Sequence, residues 1–225
     1  MSQTHANSLS IVEGCSSQLA DMFRSEHDNG TTAHVDVFMP LTDWTAARKI
    51  APVLAQRANC AGRLLLIEDD AGKGFLQTCN DAFALSDAPF VVYVAQDAFP
   101  GRQWLALALH VLQAQNKGLL AFNDGKWFGQ LAGFGLVRRT WVQGVYGGDT
   151  LFHAAYHSHY ADTELTLIAQ QQSQLAYNPN AVLVEVDVDK DRKPTNPQDK
   201  SLFAQRKESG FDGRVSDKAL IAKFR

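Results

Sequence analysis

Three stretches place acids where a carboxylate could do chemistry. Asp97 follows the apolar run Phe90-Val91-Val92-Tyr93-Val94, within Ala95-Gln96-Asp97-Ala98-Phe99-Pro100. A lone carboxylate there suits a divalent cation shared with a diphosphate, because hard cations take one or two carboxylates plus phosphate oxygens. The same Asp would also cap a following helix. Asp69 and Asp70 follow the run Leu64-Leu65-Leu66-Ile67. An acid just after a strand can bond a ribose hydroxyl or a base edge, or it can sit in a polar surface turn. Asp162 and Glu164 open a helical stretch behind Tyr160-Ala161. One of them could take a proton from a hydroxyl, a step that contributes ~10²–10⁴-fold. Both equally suit a helix start and its dipole.

Other polar clusters are less specific. His153, His157 and His159 lie close together, but without a His-Glu-x-x-His pattern. Structural zinc takes four ligands, so one histidine near a phosphate or metal, or a plain polar loop, suits them better. Glu185, Asp187 and Asp189 alternate. Period-two spacing turns them the same way, towards solvent, a basic neighbour or a cation. Gly72-Lys73-Gly74 lacks P-loop spacing. A Ser-His-Asp order, a nucleophile elbow and a Gly-x-Gly-x-x-Gly fingerprint are absent too.

The elements that must position these groups read as α/β. Residues 9–26 repeat apolar side chains at about 3.6-residue spacing, which predicts an amphipathic helix, stopped at Asp28-Asn29-Gly30. Apolar runs at 35–40, 63–67 and 90–94 predict buried strands. Between and after them, 43–58, 75–85 and 104–114 read as helices. Such βαβ units build a mostly parallel sheet, with ligands beyond the carboxyl ends of its strands. Further strands are expected at 118–122, 131–138 and 181–189, and a helix at 162–172. From Lys190 on, ten basic residues face five acidic ones. The expected organisation is a helical extension over 1–33, one domain over 34–190, and a basic tail over 191–225 packed on that domain.

Composition excludes several classes. With 225 residues, 45% hydrophobic and 20% charged, the chain can form a core and is not a disordered one. A net charge of −3 gives no general pull towards nucleic acid or anionic lipid. Cys15, Cys60 and Cys79 show no metal-like spacing, so a reducing cytoplasmic setting is expected rather than a disulfide framework. The polar start reads as no secretory leader. No apolar run approaches the ~20 residues of a membrane helix.

Taken in order, these segments resemble the family 2 glycosyltransferases of the GT-A fold, over roughly Val35 to Asp189. Val35 to Pro40 is similar to the family's first strand, and Leu64 to Asp70 to its second with the nucleotide-contacting acid. Gly74 to Asn80 resembles its Gly-x-x-x-x-x-Asn helix start. Gln96-Asp97-Ala98-x-Pro100 resembles the acidic motif of rhamnosyltransferase-like members, with Ala95 where a first acid usually stands. Gly133 to Arg139 looks like the acceptor side. Tyr160-x-Asp162-Thr163-Glu164-Leu165 looks like the base motif. Where related chains often carry His-x-His, this one has Val186 and Val188.

The resemblance implies a single Rossmann-like GT-A domain that moves a sugar from a nucleotide-diphosphate donor to an acceptor hydroxyl, with inversion. It implies Asp162 or Glu164 as base. Pro40, Asp69, Asp70, Lys73, Asn80, Gln96, Lys200 and Arg206 would be on the donor side, with Lys200 or Arg206 folding over the diphosphate. Trp127, Gly133 and Phe134 would be on the acceptor side. Asp97, with Asp187 or Asp189, would hold Mn²⁺ or Mg²⁺. The acceptor is left as a glycan, a small molecule or a modified base in DNA, as small phage-type enzymes use. A degenerate fold that only binds is the alternative from another class.

Overall fold

The computed structural model describes residues 8–27, 34–186 and 195–224. Strand β1 (Leu9–Cys15) leads through a 3-10 turn (Ser16–Gln18) into α1 (Leu19–His27). Then come β2 (Val35–Leu41), α2 (Trp44–Arg57), β3 (Gly62–Glu68), α3 (Phe75–Leu85), β4 (Phe90–Tyr93), β5 (Ala98–Pro100) and α4 (Trp104–Ala114). The second half holds β6 (Leu119–Asn123), β7 (Gly135–Arg138), α5 (Arg139–Tyr146), α6 (Ala161–Gln171) and β8 (Leu175–Glu185). It ends in α7 (Pro197–Glu208), the short α8 (Gly210–Gly213) and α9 (Lys218–Lys223).

These strands form one sheet in the order β1-β3-β2-β4-β7-β6-β8-β5. The pairs β1·β3, β2·β3, β2·β4 and β6·β8 are parallel. The pairs β4·β7, β6·β7 and β5·β8 are antiparallel. Helices cover both faces, which is why β2 to β4 are apolar on consecutive residues rather than alternately. Val35, Val37, Met39, Leu64, Leu66 and Val92 face α2 and α4. Phe38, Leu65, Ile67, Val91 and Tyr93 face α3, α5 and α6. Burying each such side chain contributes about 1.5–3 kcal/mol.

Local signals set several boundaries. Asp43 caps α2 by accepting from the N–H groups of Thr45 and Ala46. Near the amino ends of β2 and β3, opposite the site, Arg63 bonds Asp36 with two N–H groups at 2.7 and 2.6 Å, and Ser86 adds a third bond to Asp36.

Two expectations need correction. Residues 9–26 are not one helix, because 9–15 form an edge strand on β3 and only the stretch from Leu19 is helical. Strand β8 begins at Leu175, where a register shift between Ala121 and Asn123 lets it pair with β6 past Pro179. Within β8 the inward residues are Ala181 and Leu183, and Val186 just beyond is 58% exposed. The face shared by Leu183 and Glu185 is therefore the inner one. The expected tail contains helix α7, whose Phe203 lies in the core. Asp28-Asn29-Gly30, Asp187, Asp189 and Lys190 to Lys193 lie outside the described residues.

Candidate functional site

A cavity of about 560 Å³ opens beyond the carboxyl end of β4, where Tyr93 and Ala95 form part of its floor. Asp162, Gly133, Phe134 and Trp127 all line it, so four of the expected site residues meet there. Glu185, from the end of β8, joins them.

Asp162 owes its place to the turn into α6. Tyr160 takes a left-handed conformation (φ 69°), and the helix starts one residue later. Asp162 Oδ1 accepts from the Thr163 N–H at 2.8 Å. Its Oδ2 lies 4.0 Å from where a Cβ on Gly133 would stand, and no other residue among those described donates a hydrogen bond to it. Burial raises its pKa above the ordinary carboxylate range, partly offset by the Thr163 N–H and by nearby His159. A carboxylate that is desolvated and turned to a cleft is a candidate proton acceptor.

The opposite wall is fixed by Tyr93, whose hydroxyl donates to the Ala132 carbonyl at 2.6 Å. Burial, reinforced by the Asp162 charge, pushes the Tyr93 pKa well up, so it remains a donor. Gly135 leaves room for that hydroxyl, because a Cβ there would collide with it. At the rim, Asp124 Oδ1 accepts from the N–H groups of Lys126 and Trp127. This turn holds Trp127, 37% exposed, beside the cavity and edge-on to Phe224, with ring centroids 6.0 Å apart.

Asp97 lies at the start of β5, next to Ala98, which is the register partner of Glu185. The Asp97 carbonyl accepts from the Val186 N–H at 3.1 Å. A carboxylate at either position is an oxygen donor of the kind a hard cation takes beside phosphate oxygens, and of the two only Glu185 lines the cavity. No group of three His, Cys, Asp or Glu side chains able to hold a metal occurs among the described residues. His153 instead packs its ring against Tyr146 and Tyr156.

The remaining expected residues are occupied with the scaffold. Asp69 accepts from the N–H groups of Lys73 and Gly74, shaping the turn before α3. Asp70 accepts from Ser16 Oγ and from the Ser17 N–H and hydroxyl, which hold its carboxyl well below the usual range. Lys73 Nζ bonds Asp81 at 2.7 Å. Asn80 is buried; it donates to the Phe152 carbonyl and accepts from the N–H groups of Leu151 and Phe152. Gln96 Oε1 accepts from the N–H groups of Thr42 and Asp43, tying the loop after β2 to the segment after β4. Pro40 is buried in β2, and Lys200 is exposed on α7.

Glu164 and Arg206 point away from the cavity. Arg206 donates to both Glu164 oxygens at 2.7 Å, and both side chains are buried. Tyr156 donates to Glu164 at 2.8 Å, and Asp212 accepts a further Arg206 N–H. Held this way, neither Glu164 nor Arg206 is available to an acceptor hydroxyl or a diphosphate in this conformation.

The sequence reading overlooked Asp199. Its carboxylate is fully buried and accepts three consecutive backbone N–H groups, from His157 at 2.9 Å, Ser158 at 2.7 Å and His159 at 2.9 Å. Burial opposes its ionisation, but the three bonds outweigh that and hold its pKa below the usual range. The signal available was Asn196-Pro197, since Asn at a cap and Pro in the first turn mark a helix start.

No family model matches the chain, and no curated protein sequence does. Solved structures do. A mannosyltransferase from Pyrobaculum calidifontis, in complex with GDP-Man and Mn²⁺, has a TM-score of 0.53 at 14% identity, over 85% of this chain and 73% of that one. TarS from S. aureus has a TM-score of 0.61 at 11% identity, over 84% of this chain but 42% of that longer one. Glucosyl-3-phosphoglycerate synthase from Mycobacterium tuberculosis, in complex with Mg²⁺ and UDP, has a TM-score of 0.50 at 12% identity, over 89% and 85%. The chain has the GT-A glycosyltransferase fold. No helix among the described residues is long and apolar enough to cross a membrane.

Proposed function

We propose that the chain is an inverting glycosyltransferase using a nucleotide-diphosphate sugar, with Asp162 as general base. The observation that carries this reading is the Asp162 carboxylate, desolvated and with Oδ2 turned towards the cavity beyond β4. The similar structures hold GDP-Man or UDP with Mn²⁺ or Mg²⁺. In GT-A-like sheets a donor lies beyond the carboxyl ends of the strands. Here that edge is formed by the loop after β2, the turn at Asp69 and the segment Ala95–Asp97.

In this reading Asp162 Oδ2 takes the proton of an acceptor hydroxyl entering beside Gly133. The freed oxygen attacks the anomeric carbon from the face opposite the diphosphate. The bond from that carbon to the phosphate oxygen breaks, and its electron pair leaves with the diphosphate. Attack from the opposite face inverts the configuration. Asp97 and Glu185 would hold a divalent cation, which when bound supplies charge neutralisation to the diphosphate. Phe134 and Trp127 give apolar faces against which a sugar ring can pack and which exclude water.

The test is a panel of UDP- and GDP-sugars followed by calorimetry and nucleotide release, with and without Mn²⁺. One donor class is expected to bind and to release nucleotide, and Asp162→Asn is expected to keep binding while losing turnover. Binding without release by the wild type would leave a donor-binding module. No binding by any donor would overturn the proposal.

A further inference from the structure

The stretch from 147 to 160, between α5 and α6, contains no helix or strand. Loops of this length inside a domain are uncommon and are usually functional. This one is pinned by buried polar side chains at two points. Asn80 of α3 holds Leu151 and Phe152, and Asp199 of α7 holds 157–159. Three successive N–H groups converging on one anion form a concave nest. The side away from that nest is the cavity wall, lined by Ser158, His159 and Tyr160.

Helix α7 touches each of those wall residues. The Ser158 N–H donates to Asp199. His159 donates its N–H to Asp199 and accepts at Nδ1 from the Asn196 N–H at 3.3 Å. The Tyr160 ring stacks on Phe203, with centroids 4.8 Å apart and planes at 17°. Asp162 comes two residues later. Beyond it, Arg206 of the same helix grips Glu164. The segment carrying the candidate base is thus held from both sides by one C-terminal helix.

The geometry points to Asp199 as a positioning residue: it sets the backbone of 157–159 and, through it, the placement of the Asp162 carboxylate. This inference rests on the role given to Asp162 above. An apolar side chain at 199 would leave three N–H groups unbonded in the interior, which explains why an acid stands there. Asp199 touches no reacting atom, so its effect must pass through the wall it holds.

The test uses the full chain carrying Asp199→Asn, which keeps the side-chain shape but loses the charge and one acceptor oxygen. Calorimetry with UDP and GDP in the presence of Mn²⁺ is expected to match the wild type. Nucleotide release from UDP-glucose or GDP-mannose is expected to fall ~10–100-fold in kcat with KM unchanged, the scale of a catalytic group displaced by about an ångström. Carbon NMR of the Asp162 carboxyl is expected to show its pKa returning towards the ordinary Asp range. A folded variant with wild-type kcat and wild-type Asp162 titration would overturn the inference. Should the wild type turn over no donor, the function proposed above falls. The Asp162 titration then decides this point alone: a shift supports it and no shift overturns it. If Asp199→Asn does not fold, Asn196→Ala takes its place. Loss of that cap loosens the first turn of α7 and is expected to give the same split to a smaller degree, whereas wild-type behaviour overturns the inference.

Discussion

A methyl group added to Gly133 would stop 4.0 Å short of Asp162 Oδ2, so the two residues bound one small space from opposite walls. A Cβ at 133 would meet Asp162 at an ordinary van der Waals distance, and a longer, branched side chain would extend into the cavity in front of that carboxylate. Gly133→Ala is therefore expected to fold and keep most turnover, whereas Gly133→Leu is expected to block the approach to Asp162 while nucleotide binding is retained. Steady-state nucleotide release beside calorimetry checks both. Equal turnover in the two variants would place the acceptor elsewhere.

Asp162→Asn is expected to lower turnover ~10²–10⁴-fold, the usual contribution of a positioned base. It is also expected to stabilise the protein at neutral pH. Burial raises the Asp162 pKa in the folded state. Its contribution to stability is thus fully present below the unfolded Asp pKa, near ~3.9, and is lost as pH rises through the folded value. Removing the charge recovers that loss, a rise in Tm of about 1–3 °C for a chain of this size. Thermal unfolding at pH 7 and at pH 4 reads it, with the gain confined to the higher pH. In the wild type, turnover should rise with pH as Asp162 ionises.

Breaking the buried pair of Glu164 and Arg206 should be a stability event. Glu164→Leu or Arg206→Met alone leaves an uncompensated charge and is expected to cost about 3–5 kcal/mol. The double variant should cost less than the two singles together, because neither charge is then stranded. Urea unfolding of the four proteins gives the cycle, and strict additivity would deny the coupling.

Cation dependence should run through Asp97 and Glu185. At a hundredfold excess over Kd, a bound nucleotide adds about 2.7 kcal/mol of stability, or roughly 5–10 °C in Tm. In the wild type that shift with UDP or GDP should need Mn²⁺ or Mg²⁺ and vanish with EDTA. Asp97→Ala should remove the cation requirement together with most of the shift. A shift that persists in EDTA would show that the nucleotide is held without a metal.

Much of this fold was legible because β2, β3 and β4 are buried on both faces and so spell continuous apolar runs. Helix α3, bounded by Gly74 and Ser86, could be read directly, as could the Asp43 cap of α2. Strand β1 was not. As an edge strand it buries Leu9 and leaves Ser10 and Ile11 exposed, so its apolar spacing imitates a helix. In β8 the run Asn178-Pro179-Asn180 signals a turn, yet the register shift absorbs it. Of the site, Asp162 could be found from its place at a helix start. Nothing local separated it from Glu164, since only the tertiary partner Arg206 shows which acid is already engaged. Asp199 was hidden for the same reason: its three donors lie some 40 positions earlier in the chain.

Strand β1 has one further consequence. Its neighbour in the sheet is β3, with Leu9 opposite Gly62. During synthesis the stretch 9–15 emerges from the ribosome well before the strand that receives it. It must wait, unpaired, until residues 62–68 have followed. This edge ribbon can therefore dock only once β2 and β3 have been made, and in the interval Ser10 and Glu13 leave it part polar.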